Sequence, residues 1–391
     1  MDYQSNIWKL YAIRFFHSLI PAYVIERLFW EQRGMTIQMV VYTEIIFAIT
    51  VVFLEVPSGI IADKWGRKNM ILLGAFLEGC MFLILIFATE FWHFAIAIFL
   101  SGIAGSASSG AGNALLYDSL LMNGRERSFE KYLGRLNVCD VTSAILAALS
   151  GSLLASKFNF EFNYWLSLAS MFVSVCLSLM LIEPAVKGDN EESVPFKDYI
   201  IASVQFFRRN PSVCLVVLSG MVTGAALSFV WEFWQLYLNR LEIPVIYFGL
   251  FSAVFMFLSL PGNLFAHLLI KRFKYRTLLL TVTSVLALGF LYVSLIRDLT
   301  GLVMICMIFL VSGIIEPIVS GYLHHRMDSS MRATIDSFQS LGLNAVLILT
   351  GLGFGYFSTK FDIFGGFGFI SLICGVFFLY FLFASSKNAV E

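Results

Sequence analysis

Apolar residues along this chain come in runs of about twenty, separated by short polar clusters. A helix needs roughly 20 mostly apolar residues to cross a bilayer. Such runs predict about twelve spanning helices, centred near residues 19, 50, 79, 106, 145, 173, 224, 257, 286, 311, 346 and 373. The runs 163–182 and 363–384 are the cleanest, and the first is the most charged. The longest polar stretch, "EPAVKGDNEESVPFKDYIIASVQFFRRNP" from Glu183 to Pro211, falls near the middle. Its second part, "FKDYIIASVQFFRR", alternates apolar and basic residues as a helix lying on a membrane surface does. The pattern predicts an all-α membrane protein in three parts. A six-helix bundle covers 1–183, a linker with a surface helix covers 184–210, and a second six-helix bundle covers 211–391.

Composition agrees. Of the 391 residues 59% are hydrophobic and 13% charged, too little polarity to cover a water-soluble domain of this length. Net charge is zero, so nothing in the total points to nucleic acid. The placement of charge says more. With the N-terminus inside, about twenty of the 26 Lys and Arg fall on the cytoplasmic side, including Lys64/Arg67/Lys68 and Lys271/Arg272/Lys274/Arg276. The opposite orientation breaks the positive-inside pattern at almost every loop, so both termini are expected in the cytoplasm. The start, "MDYQSNIWKLYAIRFF", reads as a retained first helix and not as a signal peptide. Six cysteines stand singly in apolar stretches, at neither disulfide-framework nor metal-site spacing.

The two halves resemble each other. "VPSGIIADKWGRK" has a faded counterpart in "LPGNLFAHLLIKRFK", where Pro57 matches Pro261 and Ala62 matches Ala266 at an offset of about 204. "YVIERLFW" around Glu26 matches "FVWEFWQL" around Glu232 at an offset of about 206. The matches run in the same order, which predicts two pseudosymmetric halves.

The run Gly59-x-Ile61-Ala62-Asp63-Lys64-x-Gly66-Arg67-Lys68 resembles the signature loop between the second and third helices of the major facilitator superfamily, in its drug-efflux-like branch. "ALLYDSL" ending the fourth span and "RATIDS" opening the eleventh are also family-like, and the resemblance covers essentially the whole chain. The spacing has a physical reading. Gly59 and Gly66 permit close approach and a tight turn. Asp63 suits the positive N-terminal end of a helix in the other half, with the helix beginning near Arg332 as the candidate. Arg67 can reach an acid at the end of a neighbouring span, and Asp118 is the natural one. Gly59, Asp63, Gly66, Arg67, Lys68, Asp118 and Arg332 are thus expected to form a cytoplasmic latch that breaks when the inside opens. An ordinary positive-inside loop is the plainer alternative.

Ionisable groups inside a bilayer are costly and need a partner, a cavity or a role. By the resemblance, the first, fourth, seventh and tenth helices line a central cavity, which promotes His17, Glu26, Glu232 and Glu316. Trp231 and Trp234 flank Glu232, while Asn113 and Tyr117 follow the small-residue stretch of the fourth span. Each has a bland counterpart: Glu26 and Glu232 suit an outer interface, Glu316 precedes the helix-bending Pro317, and His17 could serve as a bundle hydrogen-bond donor. Glu44 and Glu78 are expected to be structural or peripheral. Arg14 and Asp140 lie about seven residues into spans that start on the same side, which predicts an ion pair.

No phosphate-binding loop, nucleophile set or metal cluster is present, so no enzyme activity, cofactor or metal is expected. The glycine-rich antiporter signature of the fifth span and the arginine of the fourth span, both found in the family's exporters, are missing. The expected function is secondary export of a small organic or drug-like compound by alternating access, in exchange for protons. The expected setting is a lipid bilayer, a bacterial plasma membrane, with the protein a monomer. Transport of one specific metabolite or siderophore, in either direction, is the second reading; a non-transporting receptor or scaffold is the third.

Overall fold

The computed structural model describes residues 3–184, 205–324, 326 and 332–387; the side chains of Val56, Asp63, His324 and residues 332–338 lie outside that description. The described residues are helical throughout, apart from turns. In order they form α1 (Gln4–Ser18), a 3-10 turn (Pro21–Val24), α2 (Glu26–Gln32), α3 (Ile37–Trp65), α4 (Arg67–Ile86), α5 (Phe91–Ser108), α6 (Ala111–Leu121), α7 (Phe129–Lys157) and α8 (Phe160–Leu179). After the linker come α9 (Pro211–Arg240), α10 (Phe248–Arg272), α11 (Tyr275–Leu295), α12 (Thr300–His324) and α13 (Arg332–Lys387). Residues 205–209 are helical, and the rest of the expected surface helix lies outside the described residues.

Among the described residues, 10 helical segments are long and apolar enough to cross a membrane. Two interruptions account for the difference from about twelve runs. The first run is divided into α1, the 3-10 turn and α2, each too short to qualify. The last two runs are joined in the 56-residue α13, which is broken only by the non-helical backbone of Phe361 and Asp362.

The contacts divide into two compact units, one within 1–190 plus 243–253 and the other within 191–242 plus 254–391. In the first, the broken opening run decides how the helices pack. Pro21 has no N–H to continue a helix, so backbone groups on either side need outside partners. Helices α7 and α8 supply them. Ser143 Oγ donates to Phe15 O at 2.5 Å, Ser170 Oγ to Phe16 O at 2.7 Å, and Asn163 Nδ2 to Pro21 O at 3.2 Å, while Ala22 N donates to Ser167 Oγ at 3.1 Å. Irregular backbone at membrane depth is tolerated where protein satisfies it in this way. Gly151 permits the approach, because a Cβ there would stand 2.5 Å from Pro21 O. Above this seam Trp30 donates to the hydroxyl of the buried Tyr164 at 3.1 Å, and Trp30 packs on Phe94 at 5.0 Å.

The second unit is built on aromatic stacking around α9. Phe354 stacks on Phe229 at 4.7 Å and on Phe233 at 4.9 Å. A second series runs from Trp231 to Phe309 at 4.6 Å, on to Phe255 at 4.5 Å, and then to Trp234 at 5.6 Å. Close packing of this kind holds helices together where lipid tails offer no hydrophobic gain.

Candidate functional site

In the first unit the signature loop is a sharp corner. Helix α3 stops at Gly66, whose φ of +101° suits glycine, and α4 begins at the next residue. Arg67 reaches across to α6, where its guanidinium donates to Ala114 O at 3.0 Å and pairs with the buried carboxylate of Asp118. A cavity of about 360 Å³ lies beside this pair, lined by Glu55, Ser58, Gly59, Arg67, Ser106 and Gly110, among others. The side chains of Asp63 and Arg332, the other charged members of the expected latch, lie outside the described residues.

The sequence reading missed Glu183, the first residue of the polar linker stretch. Its carboxylate accepts from the backbone N–H of Arg67 at 2.8 Å and of Lys68 at 2.7 Å. An acid on the exposed N-terminal N–H groups of a helix meets both their hydrogen bonding and the positive end of the dipole. Its place immediately after the sixth span was the available signal. Together Arg67 and Glu183 tie the corner to α6 and to the chain leaving α8.

Deeper in the same unit, Arg14 Nη2 stands 2.7 Å from Asp140 Oδ2, and Ser18 Oγ donates to Asp140 Oδ1 at 3.2 Å. His17 is half-buried on the same helix as Arg14. Asn113 and Tyr117 on α6 are exposed, with Tyr117 edge-on to Phe129 at 5.5 Å. Glu26 is 4.0 Å from the guanidinium of Arg27, whose closer partner is Glu44 at 2.7 Å. Arg27 is buried and lies over Trp30 at 4.5 Å. The sequence reading missed this Arg27–Glu44 pair as well, because the charge pattern puts Arg27 in an outer loop. Glu78 is buried on α4, and Ser101 of α5 donates to its Oε1 at 3.1 Å.

The second unit holds a cavity of about 710 Å³. Trp231 and Glu316 both line it, together with polar groups that include Asn263, Ser312, Ser320 and Gln339. Glu316 is exposed to this space, and Pro317 follows it in α12. Trp234 is placed differently from the sequence expectation: three positions after Trp231 it turns into the unit's own core and is buried against Phe255. Glu232 is half-buried and absent from the lining of this cavity. The volume falls in the ~300–1,000 Å³ range of small-molecule sites. A carboxylate and an indole lining one cavity can hold a cation or a ring, and the hydroxyl and amide groups can orient it.

Apolar helices of spanning length, ion pairs between helices and a cavity inside a helical unit fit a membrane transport protein. The chain belongs to the Major Facilitator Superfamily, whose family model matches residues 11–340. It is 24% identical over 315 residues to an uncharacterized transporter of Buchnera aphidicola, covering 75% of this chain and 74% of that one. It is 25% identical over 249 residues to the multidrug resistance protein MdtG of Salmonella arizonae, covering 62% of this chain and 57% of the relative. Among solved structures, a point mutant of the nucleoside transporter NupG matches with a TM-score of 0.83 at 15% identity, over 97% of this chain and 99% of that chain. A D-xylose–proton symporter matches with a TM-score of 0.69 at 11% identity, over 98% and 96%.

Proposed function

We propose that this transporter exports a small organic or drug-like compound by alternating access in exchange for protons, from a bacterial plasma membrane with both termini in the cytoplasm. In this reading the chain crosses the bilayer twelve times: residues 4–32 count as one crossing and α13 as two. The proposed halves are 1–183 and 211–391, joined by the linker 184–210. The acids Glu26, Glu232 and Glu316 take protons or bind the cargo, Trp231 stacks on it, and Gly59, Asp63, Gly66, Arg67, Lys68, Asp118 and Arg332 act as the latch. The observation that carries the proposal is that Glu316 and Trp231 line one cavity, which favours an aromatic cation. The MdtG relatives support the drug-export side of it.

The test uses purified protein in liposomes under an imposed pH gradient, with ethidium as the probe and an internal pH dye. Ethidium and protons should move in opposite directions, and Glu316→Gln should weaken ethidium handling about tenfold, the value of one cation contact in a partly desolvated site. An absence of ethidium movement in the wild type overturns the reading. Transport of one specific metabolite is the second reading, favoured by the amide and hydroxyl groups of Asn263, Gln339, Ser312 and Ser320 around the cavity. Under that reading a single polar compound competes with all others, and ethidium does not.

A further inference from the structure

Four acids of the first unit stand in ion pairs with arginines. Asp118 pairs with Arg67, Asp140 with Arg14, Glu44 with Arg27 and Glu161 with Arg33. Glu78 sits near the middle of α4, 11 residues after Arg67 in a helix of 20, so about 16 Å along its axis. It is 8% exposed. Oε1 accepts the one hydrogen bond from Ser101 at 3.1 Å, and Oε2 is buried without a partner. Among the described residues no cation lies within ion-pair reach of it.

The surroundings do not supply a cation from further away. The helices packed on α4 are α3, α5, α6 and α8. Their ionisable groups include Glu44, Asp118 and Glu161, already paired; His93 at the first turn of α5; and Glu55 and Lys64 toward the Gly66 end of α3. A buried carboxylate with a single hydroxyl donor and no cation in reach has nothing to balance its charge. A proton on Oε2 removes the charge and leaves the Ser101 hydrogen bond in place.

We propose that Glu78 is a proton-binding carboxyl of the transport cycle, loaded and discharged within the first unit; its use in transport rests on the proton exchange proposed above. The proton enters as H⁺ on Oε2 and leaves as H⁺, with no other bond changed.

The proposal is tested first without any substrate. Infrared difference spectra of the lipid-reconstituted protein across a pH titration report the C=O stretch of a protonated carboxyl, identified by its shift in deuterated water. The wild type should show such a band, and Glu78→Gln should lose it. Ser101→Ala keeps the acid and removes the bond to Oε1, so the band should move to higher frequency. A band that survives Glu78→Gln, or one unmoved in Ser101→Ala, overturns the assignment. In liposomes with ethidium, Glu78→Gln should lose pH-driven movement and retain exchange at equal pH on both sides. Full driven flux in that variant overturns the role in transport. If the wild type moves no ethidium, the export reading falls, and the infrared band still decides whether Glu78 holds the proton.

Discussion

Glu183 offers a direct measurement of what holds the signature corner. Its two carboxylate oxygens accept from two consecutive N–H groups at 2.8 and 2.7 Å, at the first turn of α4. Removing a side-chain acceptor from a helix N-terminus costs about 0.5–2 kcal/mol. The negative charge adds about 0.3–1 kcal/mol at an exposed site. Glu183 is exposed, so the lower part of both ranges applies, and Glu183→Ala should cost about 1 kcal/mol locally. That is about a fivefold change in an opening equilibrium. Hydrogen exchange read by mass spectrometry should therefore show the amides of residues 67–70 exchanging about five times faster, with α5 and α8 unchanged. Glu183→Gln keeps an acceptor and loses the charge, so it should fall between. Gly66→Ala should act on the same amides for two reasons: φ is +101°, and the added Cβ would stand 3.2 Å from the Glu183 carboxyl. Unchanged exchange at 67–70 in Glu183→Ala would refute the idea that this carboxylate holds the corner.

Three further outcomes are expected. Either single neutralisation of the Arg14–Asp140 pair should cost about 1–3 kcal/mol, below the value for a fully buried pair because the side chains are 41% and 24% exposed; the charge-swapped double variant should regain thermal stability, and no recovery would count against the pair. Asp362 has φ +57° and is held by Arg240 Nε at 2.5 Å, so Asp362→Ala keeps the strain and loses the partly exposed ion pair, a cost of about 0.5–1 kcal/mol. Asp362→Gly loses the pair and relieves the strain, so it should melt higher than the Ala variant, and equal melting points would show that strain is absent. In the turn before α12, the hydroxyl and N–H of Thr300 hold the exposed Asp298 carboxyl below its usual range, so Thr300→Val should raise its titration midpoint by NMR; whatever stability that carboxylate adds is present above its ordinary pKa and is lost as pH falls through the lowered one.

Much of the helical plan is legible because a bilayer permits few solutions. Apolar runs of fixed length, and basic residues between them, carry the spans. The interruptions are less legible. Pro21 was a visible signal, but its break is tolerated only because Ser143, Asn163, Ser167 and Ser170 arrive from helices more than a hundred residues on. The break at Phe361 and Asp362 falls between the runs centred near 346 and 373, yet it carries neither glycine nor proline, and its two-residue shortness is not legible. Depth counting put Arg14 and Asp140 at one level, and they stand 2.7 Å apart. It could not place Glu78, because which face of α4 turns inward depends on α5 and α8, and those contacts are long-range. The same limit separated Trp231 from Trp234: helical spacing puts them on neighbouring faces, and only the packing of Phe255 and Phe309 shows which one meets the cavity.

A third repeat match emerges only from side-chain partners. In the first unit Arg33, just past α2, pairs with Glu161 at the first turn of α8, and also donates to Ala88 O at 2.9 Å at the end of α4. In the second unit Arg240, at the end of α9, pairs with Asp362 at the break in α13. Arg33 closes the first run of its half and Arg240 the first of the other. Glu161 and Asp362 each stand where the fifth run of a half turns into the sixth. The offsets are close to those of the Glu26–Glu232 and Pro57–Pro261 matches, yet the surrounding letters share almost nothing. What recurs is a physical need. The last turn of a spanning helix leaves carbonyls without partners, and the corner between the next two spans must be fixed against it. An arginine fork can meet a carboxylate and a free carbonyl together, which an ammonium does less well. If the proposed halves are repeats, this pairing is a third match between them, and one that a string of apolar letters cannot carry.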